Sequence, residues 1–183
     1  MKNVRLAAAD DASAMSFVHS QAWKAAYRDF ISQEYLDNIS DDGWTPMFKR
    51  ALTQKLREAA VFELDGRITG CITFGRGRAD QSCTMAGSAA ETVNCSCNNS
   101  GEIISLYVLP EYWSMKQGYE LTKFAVERLK SQGFADCYLW VIKGNERAEK
   151  FYRKFGFRST NQLTAVNLGG RDVVEEKYNY IYI

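Results

Sequence analysis

The spacing of hydrophobic residues along the first third of the chain predicts one strand followed by three helices. Residues 4–8 form a short apolar run, and Asp10 and Asp11 are candidates to cap a helix whose apolar positions recur every three or four residues. In residues 31–39 and 44–56 the apolar side chains again fall on one helical face. The chain is therefore expected to open with a strand and a helix, and two shorter helices should follow.

The Asp65-Gly66 pair predicts a hairpin between strand-like runs at residues 61–64 and 67–74, because Asp-Gly favours the tight turn that joins antiparallel strands. The next segment, residues 75–100, is rich in Gly, Ser, Ala, Asn and Cys and shows no sustained period. This composition predicts a long loop, or a strand extension that carries an insertion.

The centre of the chain has the pattern of a parallel β-α-β unit. Residues 101–108 and 136–142 are strand-like, and residues 117–130 between them have a helical period. Asn145 is then expected to cap a helix with apolar residues at i, i+3, i+4 and i+7, and Gly156 to end it.

The carboxyl-terminal segments predict a second hairpin, in which Gly169-Gly170 joins strands at residues 162–168 and 173–183. The order of elements predicts a mixed α/β fold, with a sheet that is antiparallel at first and parallel in the middle. The strand at residues 173–183 is expected to lie at an edge of the sheet and to offer a pairing surface for a possible homodimer.

Length and composition fit one globular domain, since the chain has 183 residues, of which 46% are hydrophobic and 25% charged. The net charge of +1 leaves no basic field for a phosphate backbone, so nucleic acid is not an expected partner. The start has no signal-like apolar region, and no segment approaches the roughly 18 apolar residues that a membrane helix needs. We therefore expect a cytoplasmic protein without a membrane partner.

The cysteines and the single histidine give little support to metal chemistry. Five cysteines without an export signal predict free thiols and not a disulfide framework. Cys83, Cys95 and Cys97 lie close in sequence, but they lack the paired spacing of a four-ligand zinc site, so no metal is predicted. His19 lies on a predicted helix and is expected to be a packing residue.

The junction between the strand at residues 101–108 and the helix at 117–130 is the first candidate site. A helix N-terminus offers unpaired backbone N–H groups and the positive end of the helix dipole, which suit a phosphate or pyrophosphate. Any α/β crossover has such a junction, so this feature alone does not separate a binding site from ordinary packing.

A more specific pattern follows, Trp140-Val141-x-x-x-Asn145-x-x-Ala148-x-x-Phe151-Tyr152-x-x-x-Gly156-Phe157. It resembles the acetyl-CoA-binding half of the GNAT N-acetyltransferase superfamily, and residues 19–27 and the Asp65-Gly66 hairpin resemble the first helix and the second and third strands of its bacterial small-molecule members. The resemblance implies one GNAT domain over residues 1–183, with a mixed sheet of about six to seven strands. Residues 75–100 would be a variable insertion.

In that superfamily the pyrophosphate of acetyl-CoA lies on a loop with the pattern Gln/Arg-x-x-Gly-x-Gly/Ala, from which this chain departs. If Gly118 takes the last position, Trp113 replaces Gln or Arg and Lys116 replaces the first glycine. The Cβ of Lys116 can crowd the phosphates. Its charge can attract them, or its side chain can turn to solvent, and the sequence leaves these alternatives open. The resemblance assigns cofactor contacts to Leu106, Tyr107, Val108, Trp113, Ser114, Met115, Lys116, Gln117, Gly118 and Asn145.

The resemblance also implies two residues that transfer protons. Glu102 has the position of a carboxylate general base, which takes a proton from the substrate ammonium, usually through water. Tyr152 matches the tyrosine that contacts the CoA sulfur and protonates the leaving thiolate. Each has a structural alternative: Glu102 as a solvated residue at a strand entry, and Tyr152 as part of the apolar stripe of its helix.

The function implied by the resemblance is transfer of the acetyl group of acetyl-CoA to a primary amine of a small molecule or peptide. The amine would attack directly in a ternary complex, without a covalent enzyme intermediate. Two other functions stay open, because a fold does not by itself imply an activity. One is a non-catalytic module that binds CoA or senses a ligand, and the other is a purely structural or partner-binding domain.

Overall fold

Seven strands form one mixed sheet in a computed structural model that describes residues 2–77 and 99–182. The strand order is β1-β2-β3-β4-β5-β7-β6, which confirms the predicted mixed α/β architecture. The elements are β1 Lys2–Leu6, α1 Ala12–Ala26, α2 Gln33–Asp37, α3 Thr45–Thr53, β2 Glu58–Leu64, β3 Arg67–Arg76, β4 Ser100–Val108, α4 Gln117–Ser131, β5 Asp136–Ile142, α5 Glu146–Phe155, β6 Arg158–Leu168 and β7 Arg171–Ile181.

Both predicted hairpins are confirmed, and their turns have the backbone conformation that their sequences favour. Asp65 and Gly66 have φ of 50° and 82°, and Gly169 and Gly170 have φ of 59° and 78°. Positive φ at both central residues defines the turn whose twist matches that of the flanking strands. These turns set the registers of β2 against β3 and of β6 against β7.

A bulge in β4 opens the centre of the sheet. Thr73 of β3 pairs with Ser105 and the next residue, Phe74, pairs with Ile103, so Ile104 is the extra residue. β4 pairs with the parallel strand β5 only at Ser100, Gly101 and Glu102. Beyond the bulge the two strands are no longer hydrogen-bonded to each other, and a cleft lies between them.

Helices cover the two faces of the sheet, because successive strand residues point to opposite sides. In β2, Ala60 and Phe62 pack into the core beneath α4 and α5. Their neighbours Ala59 and Val61 pack against Met15 of α1 and against α3 on the other face. The cleft between β4 and β5 therefore has one side toward α4 and α5 and the other toward α1.

Asp11, one of the two predicted cap residues, occupies the N-cap position of α1, but its side chain makes no cap hydrogen bond to that helix. A 3-10 turn at Ala9–Asp11 precedes the helix. The Asp11 carboxylate accepts the backbone N–H of Ala8 at 2.7 Å and forms an ion pair with the Arg5 guanidinium, also at 2.7 Å. Asp11 thus closes the turn before the helix and ties it to β1.

The strand predicted to form a sheet edge is internal. β7 pairs antiparallel with β5 on one side and with β6 on the other. The prediction is wrong because α5 carries the chain past the position beside β5, and the Gly169-Gly170 turn returns β7 into that position. Since β1 and β6 are the edges of this sheet, the possible homodimer stays a prediction without that pairing surface.

Of the segment predicted at residues 75–100 as a long loop or a strand extension that carries an insertion, Gly75 and Arg76 belong to β3 and Ser100 begins β4, whereas residues 78–98 lie outside the described residues. Cys83, Cys95 and Cys97 lie outside the described residues. Cys71 and Cys137 are buried free thiols. Within residues 2–77 and 99–182, no three His, Cys, Asp or Glu side chains are grouped so that they could hold a metal ion. Across the same ranges no helix has the length and apolarity to cross a membrane.

Candidate active site

A cleft of about 960 Å³ occupies the opening between β4 and β5. It is bordered by the second half of β4, the loop before α4, the start of α4, the end of β5 and one face of α5. The predicted site residues that line it are Leu106, Tyr107, Val108, Trp113, Ser114, Lys116, Gln117, Gly118, Asn145 and Tyr152. Glu102 and Met115 are the two predicted site residues outside its lining.

The β4 wall presents backbone groups to the cleft. From Ile103 to Val108 the edge that would face β5 has no hydrogen-bonded strand beside it. The Val108 carbonyl accepts a hydrogen bond from the indole N–H of Trp113 at 2.8 Å. The remaining amide groups along this edge can pair with an extended ligand as they would with a strand.

The loop before α4 holds two non-glycine residues in a left-handed conformation. Ser114 has φ of 63° and Lys116 has φ of 65°. This conformation costs a residue with a Cβ roughly 1–2 kcal/mol, which gives a second reason for glycine at the position of Lys116 in the superfamily pattern. Lys116 therefore has the backbone conformation that glycine adopts most readily.

The start of α4 is anchored to the sheet and open toward the cleft. The hydroxyl of Thr69 donates to the side-chain oxygen of Gln117 at 2.8 Å, and Gln117 is 3% exposed. The Gln117 side chain thus fixes the helix on β3 and leaves only its backbone for a ligand. A Cβ on Gly118 would be in van der Waals contact with the Phe151 ring at 3.6 Å and with Leu106 at 3.8 Å, and Gly118 lines the cleft.

We expect the two possible effects of Lys116 to be separated by Lys116→Ala and Lys116→Gly. Both variants remove the ammonium, so both should weaken CoA binding at low salt and reduce its salt dependence. Only glycine relieves the left-handed strain and the crowding by Cβ. The Gly variant should therefore bind CoA more tightly than the Ala variant. Its free energy of unfolding should be higher than that of the Ala variant by about 1 kcal/mol.

Calorimetric titration of CoA at two salt concentrations and urea unfolding measure these effects. Wild-type affinity in both variants would show that Lys116 does not contact the phosphates.

An arginine that the sequence analysis missed lies beside the loop. The guanidinium carbon of Arg147, in the first turn of α5, is 3.3 Å from the ring centroid of Trp113. Both residues line the cleft, and Trp113 has the position of the superfamily Gln or Arg. Arg147, Lys116 and the N-terminus of α4 give this end of the cleft positive charge.

Asn145 and Tyr152 occupy α5 as predicted. The Asn145 side-chain oxygen accepts the Ala148 N–H at 3.1 Å, which confirms the cap. The ring of Tyr152 packs with those of Phe151 and Phe157 at centroid distances of 5.0 and 5.6 Å, and the residue also lines the cleft. Burial raises the pKa of the Tyr152 phenol, and the nearby phenol of Tyr27 raises it further, so the hydroxyl keeps its proton.

Two further phenols lie on the α1 side of the cleft. The hydroxyls of Tyr27 and Tyr107 are hydrogen-bonded at 3.0 Å, and both residues line the cleft. Burial raises the pKa of each phenol. Tyr27, Tyr107 and Tyr152 therefore line the cleft with hydroxyl groups that keep their protons.

Glu102 lies beside the cleft and not on its wall. It belongs to the part of β4 that is still paired with β5, is 1% exposed, and accepts a hydrogen bond from the Tyr138 hydroxyl at 3.4 Å. The alternative of a solvated residue is therefore wrong, and the role as general base stays a prediction. Met115 is 56% exposed and is not among the lining residues of the cleft, and its cofactor contact stays a prediction.

His19 is a packing residue, as predicted. Its ring lies 4.3 Å from that of Tyr107 and 4.4 Å from that of Trp44, and 7% of the residue is exposed. Burial lowers its pKa to about 3, so the imidazole is neutral in the folded protein. It supports the Tyr107 wall from behind.

The sequence analysis also missed Glu175, a carboxylate of β7 that lines the cleft. Strand alternation predicts that Glu175 and Tyr178 lie on opposite faces of β7. It does not predict which face borders the cleft, because that depends on the position of β7 next to β5. Because β7 was expected at a sheet edge, its side chains were not considered.

The geometry defines a class of protein: an α/β fold with a cleft between two separating parallel strands and a left-handed loop beside the N-terminus of α4. Residues 21–157 match the Acetyltransferase (GNAT) family, and the chain therefore belongs to this family. Spermidine N(1)-acetyltransferase of Thermoplasma acidophilum is 26% identical over 174 residues, which cover 95% of this chain and 95% of that protein.

Solved structures of acetyltransferases share the fold. PaiA N-acetyltransferase from Thermoplasma acidophilum, in complex with coenzyme A, has a TM-score of 0.67 and 22% identity, over 98% of this chain and 99% of that one. YncA of Salmonella typhimurium, a putative acetyltransferase with its cofactor acetyl-CoA, has a TM-score of 0.69 and 16% identity, over 99% and 94%. These similarities establish the architecture around the cleft.

Proposed function

We propose that this chain transfers the acetyl group of acetyl-CoA to a primary amine by direct attack in a ternary complex. The observation that carries the proposal is the cleft, in which the unpaired edge of β4, the left-handed loop before α4 and the Tyr152 phenol face one space. Family membership supports acetyl transfer, and the complexes of similar structures with CoA and acetyl-CoA support the cofactor.

The charge distribution supports one direction for the cofactor along the cleft. The pyrophosphate would lie at the N-terminus of α4, near Lys116 and Arg147, where N–H groups and positive charge are available. The amides of the pantetheine arm would pair with the edge of β4 between Ile103 and Val108. The thioester would then lie near Tyr152.

The reaction needs positioning and two proton transfers. An uncharged amine nitrogen attacks the thioester carbonyl carbon, so that a C–N bond forms and the C–S bond breaks. A backbone N–H of the β4 edge polarises the carbonyl, and the Tyr152 hydroxyl donates to the sulfur as negative charge develops there. For a charged amine, one proton leaves for a base before attack, and the second leaves the nitrogen as the thiol is formed.

Glu102 remains our sequence-based proposal for that base. Its carboxylate is buried beside the Tyr138 hydroxyl, so a proton from the cleft would have to reach it through water. The variant Glu102→Gln is therefore included in the comparison of carboxylates below.

We infer that the acceptor is a small-molecule amine. The similarity to a spermidine N(1)-acetyltransferase along almost the whole chain supports this substrate class. The aromatic walls from Tyr27, Tyr107 and Trp140 suit the alkyl part of such an amine, because aromatic faces attract both alkyl chains and cations.

The experiment that tests the proposal combines thermal unfolding with thiol release. At CoA concentrations about a hundredfold above Kd, the free energy of unfolding should rise by about 2.7 kcal/mol. Acetyl-CoA should release free thiol when spermidine or another alkyl amine is added, and mass spectrometry should show the acetylated amine.

The rival functions give different results. Stabilisation by CoA without thiol release from any amine would favour the non-catalytic CoA-binding module. A folded protein whose melting temperature does not respond to millimolar CoA would leave only the structural or partner-binding domain.

A further inference from the structure

Glu175 places a carboxylate on the side of the cleft opposite the phosphate loop. Among the described residues that line the cleft, the carboxylates are Glu120 and Glu175. Glu120 lies in the first turn of α4, at the positively charged end. Glu175 lies on β7, where it pairs with Ile142 at the end of β5. The two carboxylates thus belong to opposite faces of the sheet, Glu120 to the α4 face and Glu175 to the other.

The register of β7 decides which face Glu175 occupies. Tyr178 packs into the core beneath α4 and α5, and Glu175, three residues earlier on a regular strand, points to the opposite face. That face carries α1, and Tyr27, the residue that follows α1, lines the same cleft. Burial raises the pKa of Tyr27 and the charge of Glu175 raises it further, which agrees with their proximity.

The described neighbours of Glu175 include phenols and one ammonium group. Tyr27, the residue after α1, lines the same cleft, and its hydroxyl is hydrogen-bonded to that of Tyr107 from β4. Lys177 is two residues further along the same face of β7, and its ammonium lies 4.4 Å from the ring centroid of Tyr138. The surroundings are therefore polar and aromatic, which suits an alkylammonium group.

We infer, on the basis of the proposed function, that Glu175 binds the ammonium group of the acceptor amine and accepts the proton that the amine must lose before it attacks. This assigns to the cleft a preference for amines that carry a positive charge near neutral pH. The proton passes from nitrogen to the Glu175 carboxylate, directly or through one water, and then to solvent. The freed nitrogen lone pair forms the C–N bond, and the C–S electron pair leaves with the thiolate.

The two sides of the cleft give this assignment a consistent geometry. Tyr152 belongs to α5, on the face of the sheet that carries the phosphate loop. Glu175 and Tyr27 belong to the α1 face. The amine would therefore approach from the α1 side, while the cofactor sulfur would meet the Tyr152 hydroxyl on the α5 side. Glu175 would accept the proton of the amine on one side of the thioester, and Tyr152 would donate a proton to the sulfur on the other.

The test compares Glu175→Gln with Glu176→Gln and Glu102→Gln. Glu176 is the matched control, because it is adjacent on β7 but faces away from the cleft and accepts a hydrogen bond from the Ser159 hydroxyl. Each variant is assayed at saturating acetyl-CoA with butylamine, which is charged at neutral pH, and with aniline, which is not. Butylamine binding to the CoA-bound protein is measured by calorimetry, which reports on the site even without turnover.

With butylamine, Glu175→Gln should lower kcat/KM at least about tenfold near neutral pH, and the deficit should shrink near pH 10, where more amine is uncharged. Aniline turnover should change little, Glu176→Gln should behave as wild type, and Glu175→Asp should restore part of the rate. Butylamine binding should weaken about tenfold or more in Glu175→Gln.

Several results would overturn the assignment. If Glu175→Gln lowers kcat/KM equally with butylamine and with aniline, Glu175 is a structural residue. A pH-dependent loss in Glu102→Gln, with none in Glu175→Gln, would return the base to Glu102. Wild-type protein that binds CoA but no amine would contradict the ammonium site, whereas failure to bind CoA would contradict the proposed function itself.

Discussion

Replacing Tyr152 by phenylalanine should lower kcat by about tenfold or more, because general-acid help is typically worth about 10²–10⁴-fold and water replaces it only in part. The ring packs with Phe151 and Phe157 and would keep those contacts. Stability and CoA affinity should therefore change little, so that the loss falls on kcat and not on KM for acetyl-CoA. Steady-state kinetics with acetyl-CoA and the best acceptor measure the effect.

The pH dependence gives the Tyr152 prediction a second readout. Burial raises the pKa of this phenol, so wild-type kcat should show no loss of the hydroxyl proton up to about pH 10. Phe151→Leu is the matched control, since it alters the neighbouring ring of α5 without removing a hydroxyl. Full kcat in Tyr152→Phe would make the tyrosine a packing residue and leave protonation of the thiolate to solvent.

The parts of the fold that the sequence predicted are those set by local chemistry. The Asp65-Gly66 and Gly169-Gly170 turns need positive φ at both residues, and Asp-Gly and Gly-Gly are residue pairs that favour this conformation. Asn145 and Gly156 mark the ends of α5 because capping depends on a few neighbouring atoms. Tyr152 was assigned through the resemblance of its helix to the GNAT pattern, and its helical spacing alone fits the apolar stripe equally well.

The parts that the sequence did not predict depend on pairing between distant segments. The bulge at Ile104 exists only as a mismatch in register between β3 and β4, and no residue type signals it. The internal position of β7 follows from the order in which β6 and β7 join β5, and it decides that Glu175 borders the cleft. Lys116 was recognised as a departure, but its left-handed backbone is visible only in the structure.

Acid should destabilise the protein through His19, in a pH range where few other groups titrate. Burial lowers the pKa of this imidazole to about 3 in the folded protein, whereas an unfolded histidine has a pKa of about 6.5. The unfolded state therefore binds one more proton below about pH 6.5, and the stability present above that pH is lost as the pH falls. Between about pH 7 and pH 5 the free energy of unfolding should drop by about 2 kcal/mol, measured by urea unfolding.

The variant His19→Leu isolates this effect because the chain has a single histidine. The Nδ1 atom of His19 is buried with no hydrogen-bond partner among the described residues, so replacement by an apolar side chain removes no hydrogen bond at that atom. In His19→Leu the free energy of unfolding should no longer fall between about pH 7 and pH 5, whatever its value at neutral pH. Asp11 and Asp41 do not replace the effect, because their lowered pKa values make them titrate at more acidic pH. If the free energy of unfolding falls equally with pH in wild type and variant, a group other than His19 titrates. If the imidazole titrates near pH 6.5 in the folded protein, His19 is hydrated.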